Sequence, residues 1–261
     1  MSLHDIKKKL DVLRLFEKST NAMKLMSLSL HHQIKKMTPQ ISAHINEVKL
    51  FVDEYFDLDY SGNKVFIFVG AERGFCGDYM DTLVKKFYFI NKNNPDAFFI
   101  IIGKIFYNKI KKDAVGNVVS IVDFKLQNID KIITSIIKTI TERDIKVADF
   151  FAVKARSLSE REMYVRSVVV SVAHYHVKKN FLLGHFNSLD IVSHFFYDFF
   201  FSQLKLILLE SLYAEQGARF ISMDTALKNA KDIIDKNNKL YFKMRQKKIN
   251  AELDDLVSNL L

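Results

Sequence analysis

The chain has 261 residues, 49% hydrophobic and 26% charged, with 39 Lys and Arg against 30 Asp and Glu for a formal charge of +9. Its single cysteine, Cys76, excludes an internal disulfide or a zinc site built on several cysteines, which points to a reducing compartment. No apolar run follows the N-terminal charges as a secretory signal would, and the most apolar stretch, Phe195–Leu209, carries Asp198 and Lys205. It falls short of the roughly 20 apolar residues of a membrane span, so the chain is expected to be soluble, its basic excess favouring an acidic partner.

Only 8 Gly and 2 Pro punctuate the sequence, which leaves room for long uninterrupted helices. Ser2 and Asp5 form an S-x-x-D helix start, and Leu3, Ile6, Leu10 and Leu13 follow at spacings of three and four. From Leu30 the rhythm continues through Ile34, Met37, Ile41, Val48, Phe51 and Tyr55, with His44 its one polar member. Such a stripe is the seam of a coiled coil and predicts an N-terminal helical segment over 1–57. Pro39 lacks an N–H and crowds the preceding turn, so a kink or short break is expected near Thr38.

Over 64–187 the pattern changes. Lys64–Val69 and Ala97–Ile102 are continuous apolar runs of the kind buried parallel strands show, each followed by a helical stretch, Asp78–Ile90 and Lys104–Lys111. Val118–Val122 reads as a third strand with Ile129–Thr141 as its helix. Asp149–Ala155 and Met163–Ala173 read as strands joined by the polar turn Arg156–Glu162. Together these predict a small Rossmann-like sheet with an antiparallel hairpin.

The last segment, 188–261, carries the stronger helical signal. Steps of seven from Leu206 reach Tyr213, Phe220, Leu227, Ile234 and Tyr241; steps from Leu209 reach Gln216, Met223, Ala230, Asn237 and Met244. The period then slips to Ile249, Leu253, Leu256 and Leu260. A helix from about Ser193 to Leu261 would be on the order of 100 Å long and must pair with another helix. An ordinary helical bundle would need turns that this sequence does not offer. The predicted fold class is therefore α/β: a long antiparallel coiled coil of the N- and C-terminal helices with an inserted Rossmann-like α/β domain.

Candidate chemistry is sparse. Gly70–Gly77 (GAERGFCG) follows a strand, but Gly77 is followed by Asp78 and Tyr79 where a phosphate loop needs Lys and then Ser or Thr. His174 and His176 share a strand face without a third ligand nearby, and Cys76 reads as a small buried hydrophobe. No serine sits in a nucleophile elbow. No catalytic, cofactor-binding or metal site is predicted. The basic clusters Lys7–Lys9 and Lys243–Lys248 lie near the two chain ends.

Leu208–Leu261 closely resembles the C-terminal helix of F-type ATP synthase gamma subunits, in the words SLYAEQGARFISMD, ALKNAKDIID and YFKMRQ. Ser2–Met26 is similar to the family's N-terminal helix, including Thr20–Lys24, and Arg73–Gly77 (RGFCG) resembles its R-G-L-C-G. From Tyr79 to Leu189 the resemblance rests on layout. It implies a non-catalytic central-stalk rotor turning inside three alpha and three beta subunits, with an epsilon-like stalk subunit and, in a true synthase, a c ring below. It also implies a peripheral place on the cytoplasmic side of the membrane, no cofactor and no nucleic-acid partner. By resemblance, Met23, Lys24, Arg73, Gly74, Gly77, Arg245 and Gln246 contact neighbouring subunits. Pro39 and the aromatic run Phe195–Phe201 depart from the family, the latter reading either as core or as a patch for a further partner. Two alternatives are a specialised F-like ATPase motor and a basic coiled-coil protein binding nucleic acid in a salt-sensitive way. The second of these does not account for the SLYAEQGARFISMD block, and a Rossmann-type enzyme fails for want of a phosphate loop.

Overall fold

The computed structural model describes residues 2–112, 117–170, 175–177 and 189–258. The first helix, α1, spans Leu3–Tyr55 and begins at a reciprocal capping box. The Ser2 N–H donates to Asp5 Oδ2 (2.8 Å) and the Asp5 N–H to Ser2 Oγ (3.2 Å). Every seventh residue from Ile6 to Val48, and every seventh from Leu10 to Val52, is buried or half-buried. One series of the expected stripe, Ile34, Ile41 and Val48, lies in the seam, whereas the other stands one residue further on, at Ile45 and Val52 where His44 and Phe51 are expected. Ile45 and Val52 are buried, whereas His44 is exposed and pairs with Asp198 Oδ2 at 2.9 Å. The step from Ile34 goes to Thr38, not Met37, and a polar threonine hid that register.

No break interrupts α1 near Thr38; the helix continues through Pro39. The exposed proline ring faces away from the seam, and Thr38 Oγ1 donates to the Ile34 carbonyl at 2.8 Å. An interior proline costs a helix about 3 kcal/mol. Here that cost is outweighed by packing on either side, where Ile34, Ile41 and Ile45 lie in clusters shared with α5 (Leu189–Ser258).

The chain divides into two compact units, Met1–Ser27 with Phe220–Leu261, and Leu28–Arg219. In the first, Ile6, Leu10 and Leu13 pack against Ile234, Tyr241 and Met244 of α5, and Lys24 pairs with Asp224 at 2.5 Å. Both heptad series of α5 are buried or half-buried from Leu206 to Met244, the polar Gln216 and Asn237 included. Beyond Met244 the seam opens, and Ile249, Leu253 and Leu256 are exposed.

The second unit holds a five-stranded sheet. Strands β2 (Lys64–Val69), β3 (Phe98–Ile102), β4 (Asn117–Ile121) and β5 (Val147–Ala155) run parallel in the order β4-β3-β2-β5, and β6 (Arg161–Val169) is antiparallel to β5 at the edge. Val65, Ile67, Ile100, Ile102 and Phe150 face α4 (Ile129–Glu142) and the Leu204–Leu212 stretch of α5. Phe68, Phe99, Ile101 and Phe151 face α2 (Asp81–Asn93) and α3 (Lys104–Ile110). Both faces are covered, which is why these strands read as unbroken apolar runs. The arrangement is the expected Rossmann-like sheet with its antiparallel hairpin. An added pair sets β1 (Phe56–Leu58) antiparallel to β7 (Tyr175–Val177); β1 begins inside the segment 1–57 expected to be helical, and β7 holds His176, expected on a strand. His176 lies opposite Asp57 in that pair; His174 and 171–173, expected at the end of the last strand, lie outside the described residues, as do 259–261.

Candidate functional site

The RGFCG loop hangs between β2 and α2 and is positioned first by glycine. The Gly70 N–H donates to Ile102 O (2.9 Å) and the Gly103 N–H to Ile121 O (3.0 Å), tying the ends of three strands together. Gly103 sits at φ +104°, and a Cβ there would lie 2.7 Å from the Gly70 carbonyl oxygen, so only glycine allows the approach. The loop then turns through two left-handed residues, Phe75 (φ 62°) and Gly77 (φ 57°). Phe75 is 67% exposed while its neighbour Cys76 is buried.

What fixes this loop is a buried pair on α5. Arg219 Nε donates to Gly74 O (3.3 Å), Nη2 to Arg73 O (3.2 Å) and Nη1 to Gln216 Oε1 (3.0 Å). Nη2 also bonds Glu215 Oε1, one helical turn back. Glu215 is 1% exposed and Arg219 7%. Burial pushes the Glu215 carboxyl above the usual carboxylate range, and the adjacent Arg219 guanidinium pulls it back in part. Tyr79, also buried, donates its hydroxyl to the Ser211 carbonyl (3.0 Å). The loop therefore turns carbonyl oxygens onto a cation, the opposite polarity from a phosphate cradle of N–H groups. Glu215 and Arg219 were not among the expected site residues. Their signal is an i,i+4 acid and base set among Ala214, Gly217 and Ala218, a stripe too small to hold charges out in water.

One turn away, His31 occupies a seam position of α1. It is buried, stacks on Tyr213 (centroids 3.8 Å apart, 16° between planes) and donates Nδ1–H to the Tyr213 carbonyl at 3.2 Å. Gly217 makes the room, since a Cβ there would sit 3.4 Å from the imidazole. Burial lowers the His31 pKa from 6.5, against the raising effect of the Tyr213 bond, and His32 and Lys35 lower it further. A histidine whose folded pKa is depressed binds its proton more readily when unfolded, so stability is lost as pH falls. Melting temperature is expected to drop as pH falls below about 6.5, and His31→Gln to flatten that slope. An identical slope in the variant would remove His31 as its source.

The structure separates the other expected contact residues. Met23 is exposed, but Lys24 is engaged within the chain by Asp224 and stands 5.2 Å over the Phe220 ring. Arg245 and Gln246 are exposed on α5 about 30 Å along the helix from Asp224. Arg73 and Gly77 are exposed, and Arg73 and Gly74 meet Arg219 through their carbonyls. Beside the basic residues, the first unit exposes the apolar side chains Leu15, Leu25, Met26, Leu240, Phe242 and Leu253. Within the Phe195–Phe201 run, Phe196, Phe199 and Phe200 are buried as core, whereas Phe195 and Tyr197 are exposed. Among the described residues no group of three metal-ligating side chains occurs, and no helix is long and apolar enough to cross a membrane.

These features define a class of protein in which helices from the two chain ends pair along a heptad seam and carry an α/β unit between them. The chain belongs to the ATP synthase family, whose model matches residues 2–260. It is 26% identical to the ATP synthase gamma chain of Campylobacter curvus, over 99% of this chain and 98% of the relative. It is 25% identical to that of Clostridium beijerinckii, over 98% and 96%. Its fold matches a chain in the cryo-EM structure of the Euglena gracilis mitochondrial ATP synthase (OSCP/F1/c-ring, rotational state 3) with a TM-score of 0.71 at 13% identity, covering 99% of this chain and 93% of that one.

Proposed function

We propose that this chain is the central-stalk rotor, the gamma subunit, of an F-type ATP synthase or ATPase, and is itself non-catalytic. In this reading 1–57 and 188–261 form the shaft and 64–187 the foot. The shaft turns inside a ring of three alpha and three beta subunits. The foot meets an epsilon-like subunit and, in a synthase, a c ring, which holds the chain peripherally on the cytoplasmic side of the membrane. Rotation carries an asymmetric coil past each beta subunit in turn and couples ring chemistry to torque.

The observation that carries this reading is the exposed apolar side chains of the first unit, of which Leu240, Phe242 and Ile249 flank the exposed Arg245 and Gln246 along α5. Apolar contacts are non-directional, so a surface of this kind can slide inside a sleeve without breaking fixed bonds. Exposed Arg245 adds the directional element, since a guanidinium can hold a carboxylate bidentately and release it. Met23 faces outward and suits a partner contact, whereas Lys24 serves in this account as an internal tie to Asp224.

The test is a gentle affinity isolation of the tagged chain with subunit identification and an ATPase assay. Alpha- and beta-like subunits with a c ring are expected. A catalytic ring with other proteins and no c ring would assign the chain to a specialised motor, and no ring at all would overturn the rotor reading. Within the assembled complex, Arg245→Ala with Gln246→Ala is expected to lower the ATPase rate by about tenfold, the scale of one lost charged bond, and to weaken torque, without loss of assembly. Unchanged rate and torque would remove the pair from the coupling path.

A further inference from the structure

The layer formed by α2 and α3 carries a charge pattern that the rotor reading does not use. These helices pack side by side on one face of the sheet through Leu83, Phe87, Ile90, Phe106 and Ile110. Their outward sides, with the turn that follows α3, present Lys85, Lys86, Lys92, Lys104, Lys111 and Lys112. None of the six forms an ion pair with a described residue. The acids on this layer are few. Asp81 pairs with Lys109 (3.6 Å), and the Glu72 carboxylate accepts the Lys104 backbone N–H (3.0 Å), leaving Asp96. Across the sheet the balance differs: on α4, Lys138 pairs with Glu142, and Asp130 pairs with Lys205.

An aromatic side chain stands among these lysines. Phe89 is 62% exposed on the outer side of α2, with Lys86 Nζ 5.3 Å from its ring centre, and Tyr88 beside it is also exposed. The sequence spends a phenylalanine where the amphipathic pattern of α2 calls for a polar residue.

We infer that the α2–α3 layer is a docking surface for an anionic membrane, the lysines facing acidic phospholipid headgroups and Phe89 entering the interface between them. The residue types select this occupant. Between Asp81 and Lys112 the cations are all lysine, with no arginine to fork onto a carboxylate or a base edge. Compact ammonium charges on flexible stems suit a fluid layer of phosphates that offers no fixed register. An exposed aromatic beside them matches the ring chemistry of the membrane–water interface. The inference does not depend on the rotor reading, because it concerns the second unit of the chain alone.

The test is co-sedimentation of the full chain with vesicles of phosphatidylcholine, with and without phosphatidylglycerol, across a salt series. Binding to the phosphatidylglycerol vesicles is expected, weakening steeply with salt, with none to phosphatidylcholine alone. The variant Lys85→Glu, Lys92→Glu, Lys111→Glu, Lys112→Glu is expected to lose about tenfold or more in affinity, and Phe89→Ser several-fold. A control reversing the same kind of charge on α4, Lys131→Glu with Lys138→Glu, is expected to keep most of the binding. Circular dichroism checks that each variant is folded. Equal loss in the α4 control would overturn the assignment, as would full binding by the four-site variant, which would move the contact to the basic clusters near the chain ends. Absence of binding to either vesicle would overturn the membrane surface altogether.

Discussion

Replacing Arg219 by Ala is expected to destabilise the chain by about 3–5 kcal/mol, the scale seen when one member of a buried ion pair is removed. The substitution leaves Glu215, 1% exposed, without its guanidinium and releases the carbonyls of Arg73 and Gly74. Removing both charges, as Glu215→Leu with Arg219→Met, is expected to cost less than the single change, because no uncompensated charge remains. The pH dependence identifies the cause. Burial raises the folded pKa of Glu215 above 4.5, so the folded state keeps that proton to higher pH than the unfolded chain does. Its ionisation therefore opposes folding increasingly as pH rises past about 4.5, and Arg219→Ala should be mildest in acid. Urea unfolding at about pH 5 and about pH 8 measures the difference. An equal loss at both would attribute the effect to lost packing and loop bonds alone.

Phe68→Ala should cost a similar amount, about 3–5 kcal/mol, for a wholly different reason. Phe68 is fully buried, stacked on Phe151 with centroids 4.5 Å apart and set edge-on to Phe87 at 5.4 Å. Phe99 and Phe106 complete the ring of neighbours, so the vacated volume has rigid walls and little means of collapse. The comparison is Phe75→Ala, seven residues along the same segment, where an exposed ring should change stability by less than about 0.5 kcal/mol. Thermal unfolding of the two variants side by side checks both values. A small loss at Phe68 would mean that the aromatic cluster repacks.

The sheet was readable because its strands are buried on both faces, so that apolar runs such as Lys64–Val69 and Phe98–Ile102 have no polar interruptions. The seam of α1 was legible only where it is apolar. Between Leu13 and Ile34 it passes through Glu17, Thr20, Lys24, Ser27 and His31, and a hydrophobic count loses its phase there. Resuming it at Leu30 gave a stripe that drifted onto His44, although the true register reaches Ile45. Helix continuity at Pro39 was hidden because it depends on tertiary packing. β1 was hidden because a three-residue strand leaves almost no periodic trace. For the candidate site, the sequence supplied the loop and the word AEQGAR separately. That the second holds the first by its backbone carbonyls is a fact of three dimensions, carried by bonds that any residues at 73 and 74 could accept.

The division of the chain has a consequence for its biosynthesis. The sheet-bearing unit is one unbroken segment, Leu28–Arg219, whereas the other is assembled from two stretches far apart in the chain, Met1–Ser27 and Phe220–Leu261. During translation the first turns of α1, with Ile6 and Leu10, emerge long before Ile234 exists to cover them. At about 5–20 residues per second, that edge waits on the order of ten seconds or more with its apolar positions open to water. The contiguous unit can fold in that interval, so that joining the two ends no longer requires closing a long disordered loop. A nascent chain arrested before Phe220 is thus left with a lone amphipathic helix, a species that chaperones are suited to hold.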